Sequence, residues 1–134
     1  MIDKEAIDIM AKTLYGEARG EGEEGLIAVG NVIKNRVKKK TWYGKTVKDV
    51  CLKAWQFSCW NHNDPNFKTI SSLDKRNKTF AKILVLAEQI LNDEFEDNTE
   101  GSTHYHTSSI KPKWAKGLTP VVTLGNHLFY NNVR

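Results

Sequence analysis

Tyr15-Gly16-Glu17-Ala18-Arg19-Gly20-Glu21-Gly22-Glu23-Glu24-Gly25 is the stretch where two helical patterns meet, and its reading decides how they are arranged. On its N-terminal side, Asp3 to about Tyr15 reads as a helix. Asp3 suits the N-cap, and Glu5 with Asp8 lies near the positive end of the helix dipole. Ala6, Met10 and Leu14 recur at the four-residue step, with Ile9 and Thr13 beside them. On the C-terminal side a second helix is predicted from about Glu23 to Lys38, with Leu26, Val29, Gly30, Ile33 and Val37 on one face. Ile27 and Val32 widen that face. Glycine inside a helix costs about 1 kcal/mol against alanine, so Gly30 points to a close helix–helix contact. The glycines of the quoted stretch interrupt both patterns. Continuing the face of Met10 and Leu14 brings Glu17 to a place where an apolar side chain is expected.

Further along, Thr46 suits the cap of a short helix through Val47, Val50 and Cys51. Trp55 to Phe67 is polar, aromatic and punctuated by Asp64-Pro65, and it reads as loop. Ser72 or Asp74 starts what is expected to be the longest helix, ending near Asp93, with Phe80, Ile83, Leu84, Ala87, Ile90 and Leu91 on the helical template. Beyond Gly101 the texture changes. Thr103-His104-Tyr105-His106-Thr107, Val121-Val122-Thr123-Leu124 and His127-Leu128-Phe129-Tyr130 are short, aromatic and β-branched, and Gly125-Asn126 fits a two-residue hairpin turn. The expected fold class is α+β, mainly helical: three or four helices, then a small C-terminal antiparallel sheet.

At 134 residues the chain is one domain in length, and residues 1–134 are expected to form a single unit. Hydrophobic residues at 40% and charged residues at 27% exclude a disordered tail, a collagen-like repeat and a disulfide-dense miniprotein. The longest apolar run, Ile83 to Ala87, is far short of the ~20 residues of a membrane span, so no membrane insertion is expected. Met1-Ile2-Asp3-Lys4-Glu5 mixes charges and has no apolar core of a secretory signal, so the chain reads as made in the cytoplasm. The net charge is +4. Lys34, Arg36, Lys38, Lys39, Lys40, Lys45 and Lys48 run without an acid until Asp49, a stretch that attracts polyanions or simply forms a solvated helix end with loop lysines. Cys51 and Cys59 stand eight positions apart, without the spacing of a zinc motif, and read as buried packing residues.

Chemistry concentrates at three places. Withdrawal from water favours the neutral form of a carboxyl group, and a neutral acid near a glycosidic oxygen can protonate a leaving group. Glu17, with glycines around it to admit a bulky substrate, fits that task; pairing at a frayed helix end is the plainer reading. Trp42, Tyr43, Trp55, Phe57, Trp60, Tyr105, Trp114 and Tyr130 lie largely outside the predicted helices. Such rings stack on the C–H faces of sugars, although about half of them are expected in the core. Gln56, Ser58, Asn61 and His62 among them suit the orientation of a ligand. His104 and His106 share one face of a strand by alternation, and could line a groove or bind zinc with a third ligand from His62, His127 or a cysteine.

The run Ala11-x-x-Leu14-Tyr15-Gly16-Glu17-Ala18-Arg19-Gly20-Glu21, followed by Gly25-x-x-Ala28-Val29-x-Asn31-Val32-x-x-Asn35-Arg36-Val37, resembles the cell-wall hydrolase family of spore-cortex-lytic enzymes. So do Val50-Cys51, Gln56-Phe57-Ser58-Cys59-Trp60, Gly101-x-Thr103-His104-Tyr105-His106, Pro112-x-Trp114 and Gly125-x-His127-x-Phe129-Tyr130. The resemblance covers nearly the whole chain in the expected order. It implies a lysozyme-like catalytic domain acting on the glycan strands of peptidoglycan, with Glu17 as catalytic acid. The family's common N-terminal wall-binding repeats and secretion signal are not seen, a pattern that fits a phage endolysin released through a holin, or export by another route.

Hydrolysis normally uses two carboxyl groups, and Glu21 is the nearest second candidate. A lytic transglycosylase needs only one, because the substrate's own 6-hydroxyl attacks the anomeric carbon. Cleavage of the β-1,4 bond after N-acetylmuramic acid by Glu17, as acid and then base, is the expected reaction. Tyr15, Arg19, Gln56, Phe57, Ser58, Trp60, His104, Tyr105, His106 and Trp114 are the expected substrate-binding residues. No metal or other cofactor, no nucleic acid and no second copy is expected; peptidoglycan is the partner. The alternatives are a zinc-dependent amidase or peptidase using His104 and His106, and a non-catalytic basic module binding wall polymer or nucleic acid through Lys34 to Lys48.

Overall fold

A computed structural model describes residues 3–41, 43–53 and 56–133. Five helices precede a small sheet: α1 (Lys4–Ala18), α2 (Gly22–Lys39), α3 (Val47–Leu52), α4 (Pro65–Ser71) and α5 (Lys78–Leu91), with a 3-10 turn at Ser58–Trp60 between α3 and α4. Strands β1 (His104–Thr107), β2 (Val122–Leu124) and β3 (His127–Tyr130) follow, with a second 3-10 turn at Lys113–Ala115. The fold is therefore α+β and mainly helical, as the hydrophobic periods require.

The caps explain most boundaries. The Asp3 carboxylate accepts from the Glu5 N–H at the head of α1, and Thr46 Oγ1 accepts from the Asp49 N–H at the head of α3. Five helices stand where three or four were expected, and three boundaries need correction. The stretch read as loop from Trp55 to Phe67 contains the 3-10 turn and the start of α4. Asp64-Pro65, taken as punctuation, is an N-cap followed by a first-turn proline, with Asp64 accepting from the Asn66 N–H. The helix expected to start at Ser72 or Asp74 begins after Asn77, whose side chain accepts from the Phe80 N–H, while Asp74 turns back on Arg76. That leaves α5 at 14 residues, shorter than α2 at 18. Helix α1 also runs through Gly16 to Ala18 rather than stopping near Tyr15.

Met10, Ala11 and Leu14 of α1 are fully buried, and α5 (Phe80, Ile83, Ala87, Ile90), α3 (Val50, Cys51) and α4 (Ile70) close around them. Each large side chain so buried contributes about 1.5–3 kcal/mol. Gly30 makes the expected close contact: a Cβ there would meet Ile90 Cδ1 at 2.7 Å. The sheet order is β1-β3-β2, all antiparallel, with Gly125 at φ 56° in the turn between β2 and β3. Phe129 of the central strand packs on Ala28 and Val32 of α2, with Tyr105 joining the same cluster. This second, smaller core fixes the sheet against the face of α2. No helix of the described residues is long and apolar enough to cross a membrane.

Candidate active site

Glu17 stands one residue before the end of α1 and is half-buried. Its Oε1 accepts a hydrogen bond from the Tyr105 hydroxyl at 3.0 Å, and its Oε2 accepts one from the Cys59 backbone N–H at 3.3 Å. Three elements distant in sequence therefore meet at one carboxyl group. Gly16 makes the approach possible. A Cβ at that position would lie 2.5 Å from Cys59 Cβ and 2.8 Å from its Sγ, so the 3-10 turn rests directly on the backbone of α1.

The donors keep their protons. Burial, then the neighbouring Glu17 charge and hydrogen bond, hold the Tyr105 hydroxyl well above its ordinary pKa. Burial pushes the Cys51 thiol up to about 12 and, with Glu17 adding to it, raises Cys59 as well. Both cysteines are buried free thiols.

Arg36 of α2 ties the two donors together. It is only 5% exposed, and its Nε donates to the Thr103 carbonyl at 2.7 Å while Nη1 donates to Gln56 Oε1 at 3.1 Å. Thr103 leads into Tyr105, and Gln56 leads into Cys59. The guanidinium also lies over the rings of Phe57 (5.0 Å) and Tyr43 (5.3 Å). Burial lowers the Arg36 pKa from its ordinary value, and Tyr105, Tyr43, Cys51 and Glu17 act in the opposite direction. Just before it, Asn35 Nδ2 donates to Asp97 Oδ2 (2.8 Å) and the Ser102 carbonyl (3.0 Å), and about one turn further back Asn31 Nδ2 donates to Asn98 Oδ1. The polar edge of α2 thus fastens the segment that delivers β1.

Glu21 lies at the start of α2, where its Oε1 accepts from the Asn126 N–H at 3.2 Å and stands 3.9 Å from His127 Nδ1. His127 is 3% exposed, and its Nδ1 has no hydrogen-bond partner among the described residues. Burial lowers its pKa, outweighing the Glu21 and Glu17 carboxylates. Its ring lies 5.0 Å from that of Tyr105, so Glu21 reaches the neighbourhood of Glu17 through the sheet.

The expected binding residues divide into groups. Tyr105 touches Glu17, and Gln56 reaches the site through Arg36. Phe57 is in the core, Ser58 is exposed at the head of the turn, and the Trp60 indole N–H donates to Thr13 Oγ1 at 2.8 Å. His104, His106 and Trp114 form a shelf on the opposite face of β1. Trp114 lies 4.9 Å from His104, 5.6 Å from His106 and 5.1 Å from Tyr130. His106 Nε2 is 2.8 Å from the Tyr130 hydroxyl, and burial followed by the Arg36 charge lowers the His104 pKa to about 4.

Tyr15 and Arg19 belong elsewhere. Tyr15 meets Phe80 edge-on and accepts from Asn77, while Arg19 covers its ring and donates to Asn66. Both therefore face α4 and α5. His62 is exposed against Phe67. Trp42 and Trp55 lie outside the described residues. Among those described, no group of three or more His, Cys, Asp or Glu side chains is placed to hold a metal ion. The basic stretch does not form one face: Lys34 bonds Asp93 and the Ile90 carbonyl, and Lys48 pairs with Glu5.

Arg36, Asn35, His127 and the Cys59 N–H were not picked out from the sequence as parts of the site. A visible signal existed for the first two, since Asn35-Arg36 interrupts the apolar face of a long helix.

A family model described as cell wall hydrolase matches residues 20–130. The chain belongs to the cell wall hydrolase family. Its structure is similar to the catalytic domain of the germination-specific lytic transglycosylase SleB from Bacillus anthracis, with a TM-score of 0.72 and 26% identity over 96% of this chain and 95% of that one. It is similar also to the catalytic domain of the Bacillus cereus SleB protein, with a TM-score of 0.72 and 27% identity over 96% and 91% of the two chains. No curated protein sequence matches it. The family match begins three residues after Glu17, and the likeness to these two catalytic domains extends over nearly all of the chain.

Proposed function

We propose that this cell wall hydrolase is a lytic transglycosylase that cleaves the β-1,4 bond between N-acetylmuramic acid and N-acetylglucosamine, with Glu17 as general acid and then general base. The observation that carries this reading is the half-buried Glu17 carboxyl, oriented at one oxygen by Tyr105 and at the other by the Cys59 N–H. A relative at 26% identity bears the description of lytic transglycosylase, which supports it.

In the first step the Glu17 carboxylic acid gives its proton to the glycosidic oxygen as the bond from that oxygen to the anomeric carbon breaks. The 6-hydroxyl of the same muramic residue then attacks that carbon. Its proton passes to the Glu17 carboxylate, which restores the acid and leaves a 1,6-anhydro end with no water consumed. Tyr105 and Cys59 hold the carboxyl in one orientation through both transfers, so little reorganisation accompanies the reaction.

Hydrolysis with two carboxyl groups would require the second one placed at the same glycosidic bond as Glu17. Glu21 is bonded to the Asn126 N–H at the β2–β3 turn and faces His127, which favours the route that needs one carboxyl. The shelf of Trp114, His104 and His106 suits the apolar faces of sugar rings, with His104 neutral near neutral pH and able to bond hydroxyls. End-group mass spectrometry of digested peptidoglycan tests the reaction. Anhydro-muramic ends are expected; muramic ends heavier by one water would replace this reading with hydrolysis.

A further inference from the structure

On the far side of the shelf lies a pocket of about 500 Å³ that the cleavage chemistry does not use. Its wall includes the rings of His106 and Tyr130 and the side chain of Ile110, which is 56% exposed. Lys111, Lys113 and Lys116 stand around it, all exposed, and no acidic residue lines it. Among the described residues none of these three lysines has an ion-pair partner. An apolar floor ringed by three unneutralised ammonium groups matches a ligand with short apolar side groups and free carboxylates.

Its position narrows the choice. His106, which the pocket shares with the shelf, is the residue after Tyr105 but projects from the opposite face of β1, so the pocket lies across this edge strand from Glu17, a span that an extended peptide at about 3.4 Å per residue covers in a few residues. A glycan strand engaged at Glu17 carries its peptide on the lactyl group of muramic acid, and that peptide offers alanine methyls together with free carboxylates.

We infer that the pocket bounded by Tyr130, Ile110 and the three lysines binds the carboxylate-bearing stem peptide of the muramic residue at the cleavage site. The inference rests on the transglycosylase reading of Glu17. A phosphate polymer of the wall would satisfy the lysines but leave the apolar wall without a partner, which favours the peptide.

The test compares wild type with Lys111→Ala/Lys113→Ala/Lys116→Ala, three exposed positions whose truncation leaves the core intact. Both are assayed on peptidoglycan stripped of phosphate polymers by acid, with stem peptides intact or removed by an amidase. Wild type is expected to cut peptide-bearing strands with kcat/KM roughly tenfold above bare strands, and the variant is expected to lose that preference while matching wild type on bare strands. Equal rates of the two proteins on peptide-bearing strands would overturn the inference. So would a defect of the variant seen only while phosphate polymers remain.

Titration of a free stem tetrapeptide, followed by amide shifts of residues 106–116 and 128–130, separates this from the cleavage reading. Saturable shifts that the triple variant loses support the pocket even if neither strand is cut, whereas no shift up to millimolar peptide overturns it. Glu17→Gln should bind the peptide as wild type does, while cutting neither substrate.

Discussion

Strand β1 presents two faces of different character. Tyr105 points to the helices, where its hydroxyl bonds Glu17 and its ring packs with Phe129 against α2. His104 and His106 point the other way, where they meet Trp114 and Tyr130. The alternation of a strand makes this separation unavoidable, since neighbours project to opposite sides. The inner face has its geometry set by the core, the Arg36 bonds and the tight Gly16–Cys59 contact. The outer face offers ring surface and exposed lysines, its histidines held by contacts with Thr103, Thr107 and Tyr130. The comparison teaches where each kind of work can be done: proton transfer needs the rigid side, and holding a long, variable polymer suits the open one.

The sharpest way to break this division is Glu17→Gln. Turbidity clearing of purified peptidoglycan should slow by roughly a thousandfold with an unchanged circular dichroism spectrum. Clearing within a few-fold of wild type would remove the inner face from the chemistry. Next in size is Tyr105→Phe, which deletes one hydrogen bond to the carboxyl and keeps the ring. It should lower kcat by about ten- to a hundredfold with little change in KM. Gly16→Ala should act on the same face through packing. The added methyl meets Cys59, so thermal unfolding should show a loss of about 1–3 kcal/mol, together with a lower kcat as the Cys59 N–H moves. An unchanged melting temperature would mean that the turn does not rest on α1.

The outer face should answer more weakly. Trp114→Ala should raise KM about fivefold and leave kcat close to wild type, because a lost ring contact is worth of order 1 kcal/mol. A fall in kcat alone would contradict the division. His104 sharpens it through pH. Its folded pKa lies near 4 against an ordinary 6.5, because the ring is partly withdrawn from water and faces Arg36. Below 6.5 the unfolded chain takes up a proton that the folded chain refuses, so the stability this group contributes above that value is lost progressively as pH falls toward 4. Melting temperatures of wild type should drop over that range more steeply than those of His104→Gln. Equal slopes would show that His104 is not held neutral by the fold.

Much of this arrangement could be read from the residues alone, and the failures have physical causes. The periodicity of Met10, Leu14 and Glu17 placed the carboxyl on the buried face of α1, and strand alternation separated Tyr105 from its histidine neighbours. Asp64-Pro65 misled because the same pair that ends one element also caps the next. Gly16 misled because glycine lowers helix propensity, whereas here its missing side chain is what the Cys59 contact needs. Tyr15 and Arg19 flank Glu17 in sequence, but a helix turns by about 100° per residue, and they came out against α4 and α5. Arg36 and His127 were not placed beside Glu17 for a different reason. Their importance lies in bonds and contacts between elements far apart in the chain; the polar Asn35-Arg36 break in an apolar helix marks Arg36 as unusual but does not say what it bonds.

Digestion of purified glycan strands in water enriched in heavy oxygen puts the central claim to its most direct test. If Glu17 shuttles one proton between the leaving oxygen and the 6-hydroxyl, the new muramic ends carry no solvent oxygen, and Glu17→Gln yields no new ends. Heavy oxygen at the anomeric carbon of those ends would show that water is the nucleophile and contradict the account.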